Sequence, residues 1–325
     1  MHTAADLRDQ FLAYLEANTF DQEPNALYAP VNYIMNMGGK RLRPLLALLA
    51  CQLFSDETKA ALPAAMAVEI FHNFSLVHDD IMDEAPLRRG RPTVHEQFGL
   101  NAGILSGDVM LIHAYAFLMK SPHKPTIGGM VQVLNKVAIK VCEGQQYDID
   151  FETRSDVSLA EYLKMIELKT AALLAGSLEL GALAAGAPAV DQQHLAEFGR
   201  LTGIAFQLQD DFLDTFGDPE KVGKRPGGDI VQNKKTCLII KALELADPTT
   251  RQKLEALYSS TTIDAEQKVK EVIHLFNQLG IPDFVRDLRN DYQERAYQHL
   301  EAVEAPQERK KLLQELADSL LIREM

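Results

Sequence analysis

Residues 74–93, FSLVHDDIMDEAPLRRGRPT, place three aspartates at the end of an apolar run and three arginines in the loop that follows. From about residue 60 to 84 the apolar side chains cover most of a helix circumference, which predicts a central helix surrounded by protein. Asp79, Asp80 and Asp83 stand three and four positions apart, so their carboxylates can share one face of that helix. Carboxylates at a buried helix end need a counter-charge, and the arginines that follow carry charge of the opposite sign.

The helical period continues on both sides of this stretch. Leu195, Phe198, Leu201, Ile204 and Leu208, for example, recur every three to four positions, and we find no alternating strand with a hairpin turn. The breaks that contain Pro and Gly are too short to be flexible linkers. The sequence therefore predicts an all-α fold in a single domain over residues 1–325.

Composition excludes several classes of protein. With 325 residues, 46% hydrophobic positions and a formal charge of −13, the chain can bury a large core and lacks the basic balance typical of duplex nucleic-acid binding. Cys51, Cys142 and Cys237 are far apart without CxxC spacing, so neither a disulfide framework nor a zinc site is indicated. The N-terminus lacks the pattern of a signal peptide, and no uninterrupted apolar run reaches about 18 residues. We expect a cytoplasmic protein without a membrane span or a nucleic-acid partner.

A second acidic cluster repeats the spacing of the first. In QLQDDFLDTFGD, residues 207–218, Asp210, Asp211 and Asp214 again end an apolar helical run. A single cluster of this kind is more often a solvated helix end, but two clusters of identical spacing make chance a poor explanation. Hard carboxylate oxygens select Mg²⁺, and the alternating D-x-D-x-D-G loop of a calcium EF-hand is absent. Two such patches predict several Mg²⁺ ions around one diphosphate, neutralised as it leaves.

Cationic residues accompany the aspartates along the chain. GGKRLRP begins at Gly38, LRRG precedes Pro92, LKT ends at Thr170, and GKRPGGD and NKKT follow the second cluster. They supply Lys40, Arg41, Arg43, Arg88, Arg89, Lys169, Lys224 and Lys234. Each alone is more often a surface charge, but together with the aspartates they predict one diphosphate bridged by metal and one held by Arg and Lys.

In this order the motifs GGKRLRP, FSLVHDDIMDEAPLRRG, LKT, FQLQDDFLD and GKRPGGDIVQNKKT resemble those of the trans-isoprenyl diphosphate synthases, or polyprenyl synthetases. The resemblance runs from about residue 30 to 240. It implies the isoprenoid synthase fold, a bundle of roughly ten or more mostly antiparallel helices around a central cavity. It also implies a homodimer and condensation of isopentenyl diphosphate with dimethylallyl, geranyl or farnesyl diphosphate.

The resemblance also implies roles for individual residues. Three Mg²⁺ ions with the allylic diphosphate are expected on the two aspartate motifs, Asp79, Asp80, Asp83, Asp210, Asp211 and Asp214. The expected contacts of the allylic diphosphate are Arg88, Lys169, Gln207, Lys224 and Lys234. The expected contacts of isopentenyl diphosphate are Lys40, Arg43, Arg89 and His72, although from the residues alone His72 is equally well a core histidine. Thr170 and Gln207 would aim oxygens at the developing cation, and Tyr147 and Asp148 would lie in or near the wall of the site.

Product length depends on the turns before the first motif. Phe74 stands five positions before Asp79, about 7.5 Å along a helix, with Ser75 four and Phe71 eight positions before it. Both phenylalanines are also plain core candidates. In the family, an aromatic at the fifth position alone, without an insertion in the first motif, resembles the archaeal geranylgeranyl type. We expect a C20 product in preference to C15, and not octaprenyl or longer.

Two alternatives to a prenyltransferase remain at this point. A class I terpene cyclase shares the first motif but normally carries an NSE-type second site, which Asp210, Asp211 and Asp214 replace here. A non-catalytic partner subunit of a synthase typically lacks one aspartate cluster, and this chain has both. Turnover by the isolated chain distinguishes the three.

Overall fold

The structure is a computed structural model that describes residues 1–217, 227–260 and 262–321. The described chain is mainly helical, so the all-α prediction is confirmed. In chain order the helices are α1 (Ala4–Glu16), α2 (Asn25–Met35), α3 (Leu42–Phe54), α4 (Leu62–Met82), α5 (Val94–Phe98), α6 (Leu100–Leu118), α7 (Ile127–Thr153), α8 (Leu159–Ile166), α9 (Ala172–Ala184), α10 (Ala189–Phe216), α11 (Gly228–Val231), α12 (Cys237–Leu245), α13 (Pro248–Ser259), α14 (Ala265–Gln278), α15 (Ile281–Ala302) and α16 (Gln307–Leu321). Short 3₁₀ turns span Thr58–Ala61 and Lys124–Thr126, and a π-helical turn spans Glu167–Ala171.

The chain forms two compact units. Unit 1 comprises Met1–Val137, Leu173–Ala196 and Ala302–Leu313, and unit 2 comprises Ala138–Ala172, Glu197–Glu301 and Gln314–Met325. The single-domain assignment stays a prediction.

Unit 1 is built around α4. This helix is buried almost continuously from Leu62 to Phe71, and it packs against α3 and α6. Its bounds agree within two residues with the central helix predicted from the sequence, because a helix apolar on most of its circumference is stable only when surrounded. The N-terminal helix α1 begins at a capping box formed by Thr3 and Asp6 and packs on α3.

Unit 2 has its own core, in which α8 and α12 pack together and α14 contacts α11, α12 and α13. Its largest fully buried side chains are Tyr162, Phe198 and Phe276. Helix α8 begins at a second capping box, formed by Ser158 and Glu161, and runs directly into the π-helical turn.

Two expectations from the sequence need correction. A hairpin joins β1 (Leu87–Arg88) to antiparallel β2 (Arg91–Pro92), and strands of two residues are too short to show alternation. Two helical segments, Thr58–Met82 and Leu100–Leu118, are long and apolar enough to cross a membrane by length and composition, although the sequence indicated none. The most apolar window of the first is 72% buried in the protein, as expected of a core helix, and that of the second is 33% buried.

Candidate active site

The first aspartate cluster lies where α4 ends. Asp83 caps the helix, and its N–H donates to the carbonyl of Asp79 over 2.8 Å. Asp80 is 1% exposed, and its two carboxylate oxygens accept from Nε and Nη2 of Arg88 at 2.8 and 2.7 Å. Arg88 of the arginine-rich loop therefore forms a bidentate pair with Asp80, a contact that the sequence did not predict. Asp79 is half-buried and Asp83 exposed.

A cluster of arginines and one histidine forms a second part of unit 1. Nη1 of Arg43 lies 3.1 Å from Nε2 of His72. Burial, and then the charges of Arg43 and Arg89, hold the pKa of His72 well below its usual value, so the ring is neutral at pH 7. Because arginine only donates, Nε2 of His72 accepts and its proton sits on Nδ1.

Arg43 keeps its charge despite burial. Burial lowers its pKa to about 10, with Arg89 acting in the same direction and Glu69 opposing both. Among the described residues, its buried Nε has no hydrogen-bond partner. An unsatisfied cationic donor beside a neutral histidine fits an anion such as a diphosphate.

Arg41, next to this cluster, is engaged internally. It is 6% exposed, ion-paired with Glu69, and donates to the carbonyl of Met35. Glu69 is 3% exposed and also accepts from Nδ2 of Asn73 at 3.3 Å. Glu69 on α4 and Arg41, the residue that precedes α3, therefore form a buried ion pair. Lys40, one position earlier, is exposed.

Gly39 makes room for Arg89, which donates to the carbonyl of Gly38. With a φ of +116°, Gly39 has a conformation that favours glycine, and a Cβ there would lie 2.6 Å from Nη1 of Arg89. If Arg89 binds isopentenyl diphosphate, as the resemblance implies, Gly39→Ala should raise the KM for that substrate about tenfold by displacing a charged donor. Steady-state kinetics with Gly99→Ala as control checks this, because Gly99 also has a positive φ but no atom near its Cβ position. Equal KM values in the two variants would contradict a role for Arg89 in binding.

The second aspartate cluster lies at the end of α10 in unit 2. Asp211 is 5% exposed; Oδ2 accepts from the hydroxyl of Tyr162, and Oδ1 accepts from Nε2 of Gln207 at 2.8 Å. Oε1 of Gln207 in turn accepts from Oγ1 of Thr170 at 3.0 Å. Thr170, Gln207 and Asp211, predicted from separate motifs, are thus joined in one hydrogen-bonded chain, which Tyr162 completes. Asp210 is exposed and Asp214 half-buried.

Asp229, which the sequence did not single out, belongs to the same acidic group. Its N–H donates to Oδ2 of Asp214 at 2.9 Å, and its carboxylate lies 3.6 Å from Nζ of the exposed Lys234. Burial, then the charge of Asp214, raises the pKa of Asp229 to about 6. Burial, then the charge of Asp229, raises the pKa of Asp211 to about 8. The only signal in the sequence was its place in the GGD motif.

These carboxylates fit a hard divalent cation. Their raised pKa values arise from burial and mutual repulsion, which a bound cation would relieve, and all the donors are oxygens. Within the described residues, the His, Cys, Asp and Glu side chains do not form a ready-made group of three or more metal ligands.

The π-helical turn carries Lys169 and Thr170. π-Turns inside helices are rare and are frequent at functional sites. Nζ of Lys169 is ion-paired with Asp148 on α7, and a Cβ at Gly144 would lie 2.3 Å from the backbone nitrogen of Lys169. Of the two neighbours predicted for the wall, Asp148 thus contacts Lys169, and Tyr147 is 40% exposed. Lys224 lies outside the described residues.

The predicted chain-length residues form an aromatic row along α4. Phe71 is fully buried, its ring centroid lies 5.5 Å from that of Phe74, and the ring of Phe74 lies 4.9 Å from that of His78. Phe74 and Ser75 are half-buried, and Oγ of Ser75 donates to the carbonyl of His72 at 2.9 Å. Phe71 is therefore core, whereas Phe74, one turn nearer the aspartates, is partly accessible.

Residues 24–276 of the chain match the polyprenyl synthetase family model. The chain belongs to the polyprenyl synthetase family. The resemblance read from the sequence is thereby confirmed, and the fold is the isoprenoid synthase fold.

Similar proteins place this polyprenyl synthetase among the short-chain enzymes. It is 38% identical over 302 residues to the geranylgeranyl diphosphate synthase of Methanosarcina mazei, covering 93% of this chain and 91% of that one. A crystal structure of a geranylgeranyl pyrophosphate synthase is 43% identical, has a TM-score of 0.94 and is covered over 100% of both chains. The geranylgeranyl pyrophosphate synthase of Corynebacterium glutamicum, complexed with isoprenyl diphosphate and magnesium, is 29% identical with a TM-score of 0.83, over 99% and 98% of the two chains. The predicted prenyltransferase activity is confirmed.

Proposed function

We propose that this synthase is Mg²⁺-dependent, condenses isopentenyl diphosphate with dimethylallyl, geranyl or farnesyl diphosphate, and stops at the C20 product. The observation that carries the proposal is the acidic end of α4 with an aromatic row directly before it; α10 ends in a second acidic cluster of the same spacing. The carboxylate clusters explain the metal requirement, and the row explains a short product. Magnesium in the complexed Corynebacterium glutamicum enzyme supports the choice of metal.

The acidic and basic residues of this chain would have different roles in the reaction. Asp79, Asp83, Asp210 and Asp214 would hold Mg²⁺, together with the more buried Asp80 and Asp211. When bound, Mg²⁺ neutralises the departing allylic diphosphate. The remaining contacts of the allylic diphosphate would be Arg88, Lys169, Gln207, Lys224 and Lys234.

The second substrate would bind at the arginine cluster of unit 1. Arg43 offers an unsatisfied Nε, and neutral His72 carries its proton on Nδ1, so both can donate to isopentenyl diphosphate. Arg89 and the exposed Lys40 would complete this contact. Oxygens of Thr170 and Gln207 would stabilise the allylic cation, which the isopentenyl double bond attacks before a proton is lost. Apolar side chains of α4 would exclude water, which would otherwise convert the cation to an alcohol.

Phe74 would stop chain growth. Phe74→Ala should yield products longer than C20, because it removes the accessible ring about 7.5 Å before Asp79 along α4. Ser75→Phe is the matched opposite change and should shorten the product toward C15, since it adds a second aromatic beside the first. Product sizing by chromatography checks both variants, and an unchanged distribution in Phe74→Ala would remove Phe74 from this role.

Helix α6 would provide the interface of a homodimer. Leu105 and Ile112, seven positions apart on one helix face, are 58% and 66% exposed. Such a surface on a cytoplasmic enzyme is best covered by a second copy in a two-fold arrangement. Sedimentation velocity should give twice the chain mass of 36.2 kDa, and a monomer at micromolar concentration would contradict it.

The experiment that tests the function uses the purified chain alone. It is incubated with isopentenyl diphosphate and each of the three allylic primers, with Mg²⁺ or with EDTA, and the products are sized. We expect elongation to C20 with Mg²⁺ and none with EDTA. Products that stop at C15 would overturn the C20 assignment. Elongation in the presence of EDTA would overturn the metal assignment. If no primer is elongated, the result would favour a non-catalytic partner subunit. Release of a cyclic hydrocarbon would favour a terpene cyclase.

A further inference from the structure

Tyr162 stands at the buried end of the hydrogen-bonded chain that connects the second aspartate motif to Thr170. We propose that Tyr162 is a positioning residue that fixes the carboxylate of Asp211, through it the side-chain amide of Gln207, and so the direction of the Thr170 hydroxyl. The inference rests on the proposed function only in what Thr170 does for the reaction. The positioning itself is a property of the protein without substrate or metal.

The direction of the chain follows from the donors available. The hydroxyl of Tyr162 donates to Oδ2 of Asp211, and Nε2 of Gln207, which can only donate, donates to Oδ1. Gln207 therefore turns Nε2 to Asp211 and Oε1 away from it, where it accepts from Thr170. Thr170 gives up its single hydroxyl proton in that bond. Its oxygen is left with lone pairs alone, which is the polarity needed to face a cation.

Without Tyr162 this direction would not be fixed. Asp211 would rotate to recover a donor for its second oxygen, since an unsatisfied buried acceptor is costly. The amide of Gln207 could then turn over and present Nε2 to Thr170. In that state Thr170 would accept, and its hydroxyl proton would point elsewhere. The buried hydroxyl of Tyr162 thus decides which of two hydrogen-bond directions Asp211, Gln207 and Thr170 adopt.

The π-helical turn explains how Tyr162 and Thr170 reach the same helix. Gln207 and Asp211 are four positions apart and share one face of α10. Tyr162 and Thr170 are eight apart, which in a regular α-helix leaves them about 80° out of line. The π-turn at Glu167–Ala171 begins after Tyr162 and includes Thr170, and it widens the winding of the helix between them. It thereby brings both side chains onto α10.

Two glycines hold this turn close to its neighbours. A Cβ at Gly144 on α7 would lie 2.3 Å from the backbone nitrogen of Lys169, and one at Gly203 on α10 would lie 2.6 Å from Cα of Ala171. Tyr162 is 1% and Asp211 5% exposed, so water does not compete for their bond. Together, the π-turn, the two close glycine contacts and the buried hydrogen bond fix the positions of Tyr162 and Thr170 against α10.

The first test observes Gln207 directly in metal-free protein. Side-chain amides are labelled with ¹⁵N-glutamine, and the Gln207 signal is assigned by its loss in Gln207→Met. In the wild type one of its two protons should exchange slowly with solvent, because Asp211 holds it. Tyr162→Phe should shift this signal and speed the exchange. Rapid exchange of both protons in the wild type, or an unchanged signal in Tyr162→Phe, would overturn the proposal. The wild-type measurement stands even if the variant does not fold.

The second test separates positioning from general stability. Tyr162→Phe should lower kcat about ten- to a hundred-fold while the KM for isopentenyl diphosphate is unchanged. In a Thr170→Val background the same change should cost clearly less, because its route through the Thr170 hydroxyl is already cut. Equal losses in both backgrounds would overturn the proposal.

Tyr297→Phe is the matched control. Tyr297 also donates its hydroxyl to an aspartate in unit 2, Asp318, and it is half-buried. It should alter neither kcat nor the Gln207 signal. If the wild type does not elongate any primer, the proposed function fails while the amide measurement still decides the position of Gln207.

Discussion

Asp210→Ala should lower kcat by about a thousand-fold and leave the fold intact, and Asp79→Ala should do the same. Each change removes a carboxylate oxygen that the proposed reaction uses to bind Mg²⁺ at the leaving diphosphate. Asp210 is exposed and Asp79 half-buried, so neither change opens a cavity in the core. The measurements are kcat by single-product assay, helicity by circular dichroism, and titration of Mg²⁺ with inorganic diphosphate present.

The control is Asp287→Ala, which removes an equally exposed carboxylate of α15 in unit 2. It should retain wild-type kcat and Mg²⁺ binding. A thousand-fold loss in Asp210→Ala with unchanged helicity and weakened Mg²⁺ binding would support the metal assignment. Wild-type turnover in either motif variant would contradict it, and so would an equal loss in Asp287→Ala.

The features that the sequence predicted well are local ones. The period of apolar residues located α4 within two positions, because the pattern of burial along a single helix is a property of neighbouring residues. The spacing of Asp79, Asp80 and Asp83 likewise placed them together at the end of that helix. The π-turn that carries Lys169 and Thr170 has no comparable signature, and the glycines it packs closely against, Gly144 and Gly203, are distant from it in sequence.

The residues that the sequence missed are partners over long separations. Tyr162 meets Asp211 across 49 positions, and a tyrosine in an amphipathic helix looks the same whether or not its hydroxyl has a partner. Asp229 acquires its raised pKa from burial and from Asp214, which only the folded chain brings together. Glu69 did carry a signal, because an acid inside an otherwise apolar helix requires a buried counter-charge.

Glu69→Leu should lower the free energy of unfolding by about 3–5 kcal/mol, which is a large fraction of the stability of a typical protein. Glu69 and Arg41 are 3% and 6% exposed, so the change strands an arginine in the core without its counter-ion. Arg41 would keep its bond to the carbonyl of Met35 and lose the acceptor for its other nitrogen. Chemical denaturation followed by circular dichroism measures the loss.

The double variant Arg41→Met with Glu69→Leu separates the stranded charge from simple loss of packing. Replacing a buried ion pair by apolar side chains of similar volume is often neutral, whereas breaking it from one side is costly. The double variant should therefore recover most of the stability lost in Glu69→Leu, and Arg41→Met alone should remain destabilised because it strands Glu69. A double variant no more stable than Glu69→Leu would refute this account. Recovery of stability would also allow the kinetics of the double variant to be compared with those of the wild type. A KM for isopentenyl diphosphate above the wild-type value in the stable double variant would then support a role of Arg41 and Glu69 in holding the backbone before α3, and with it Arg43, in place.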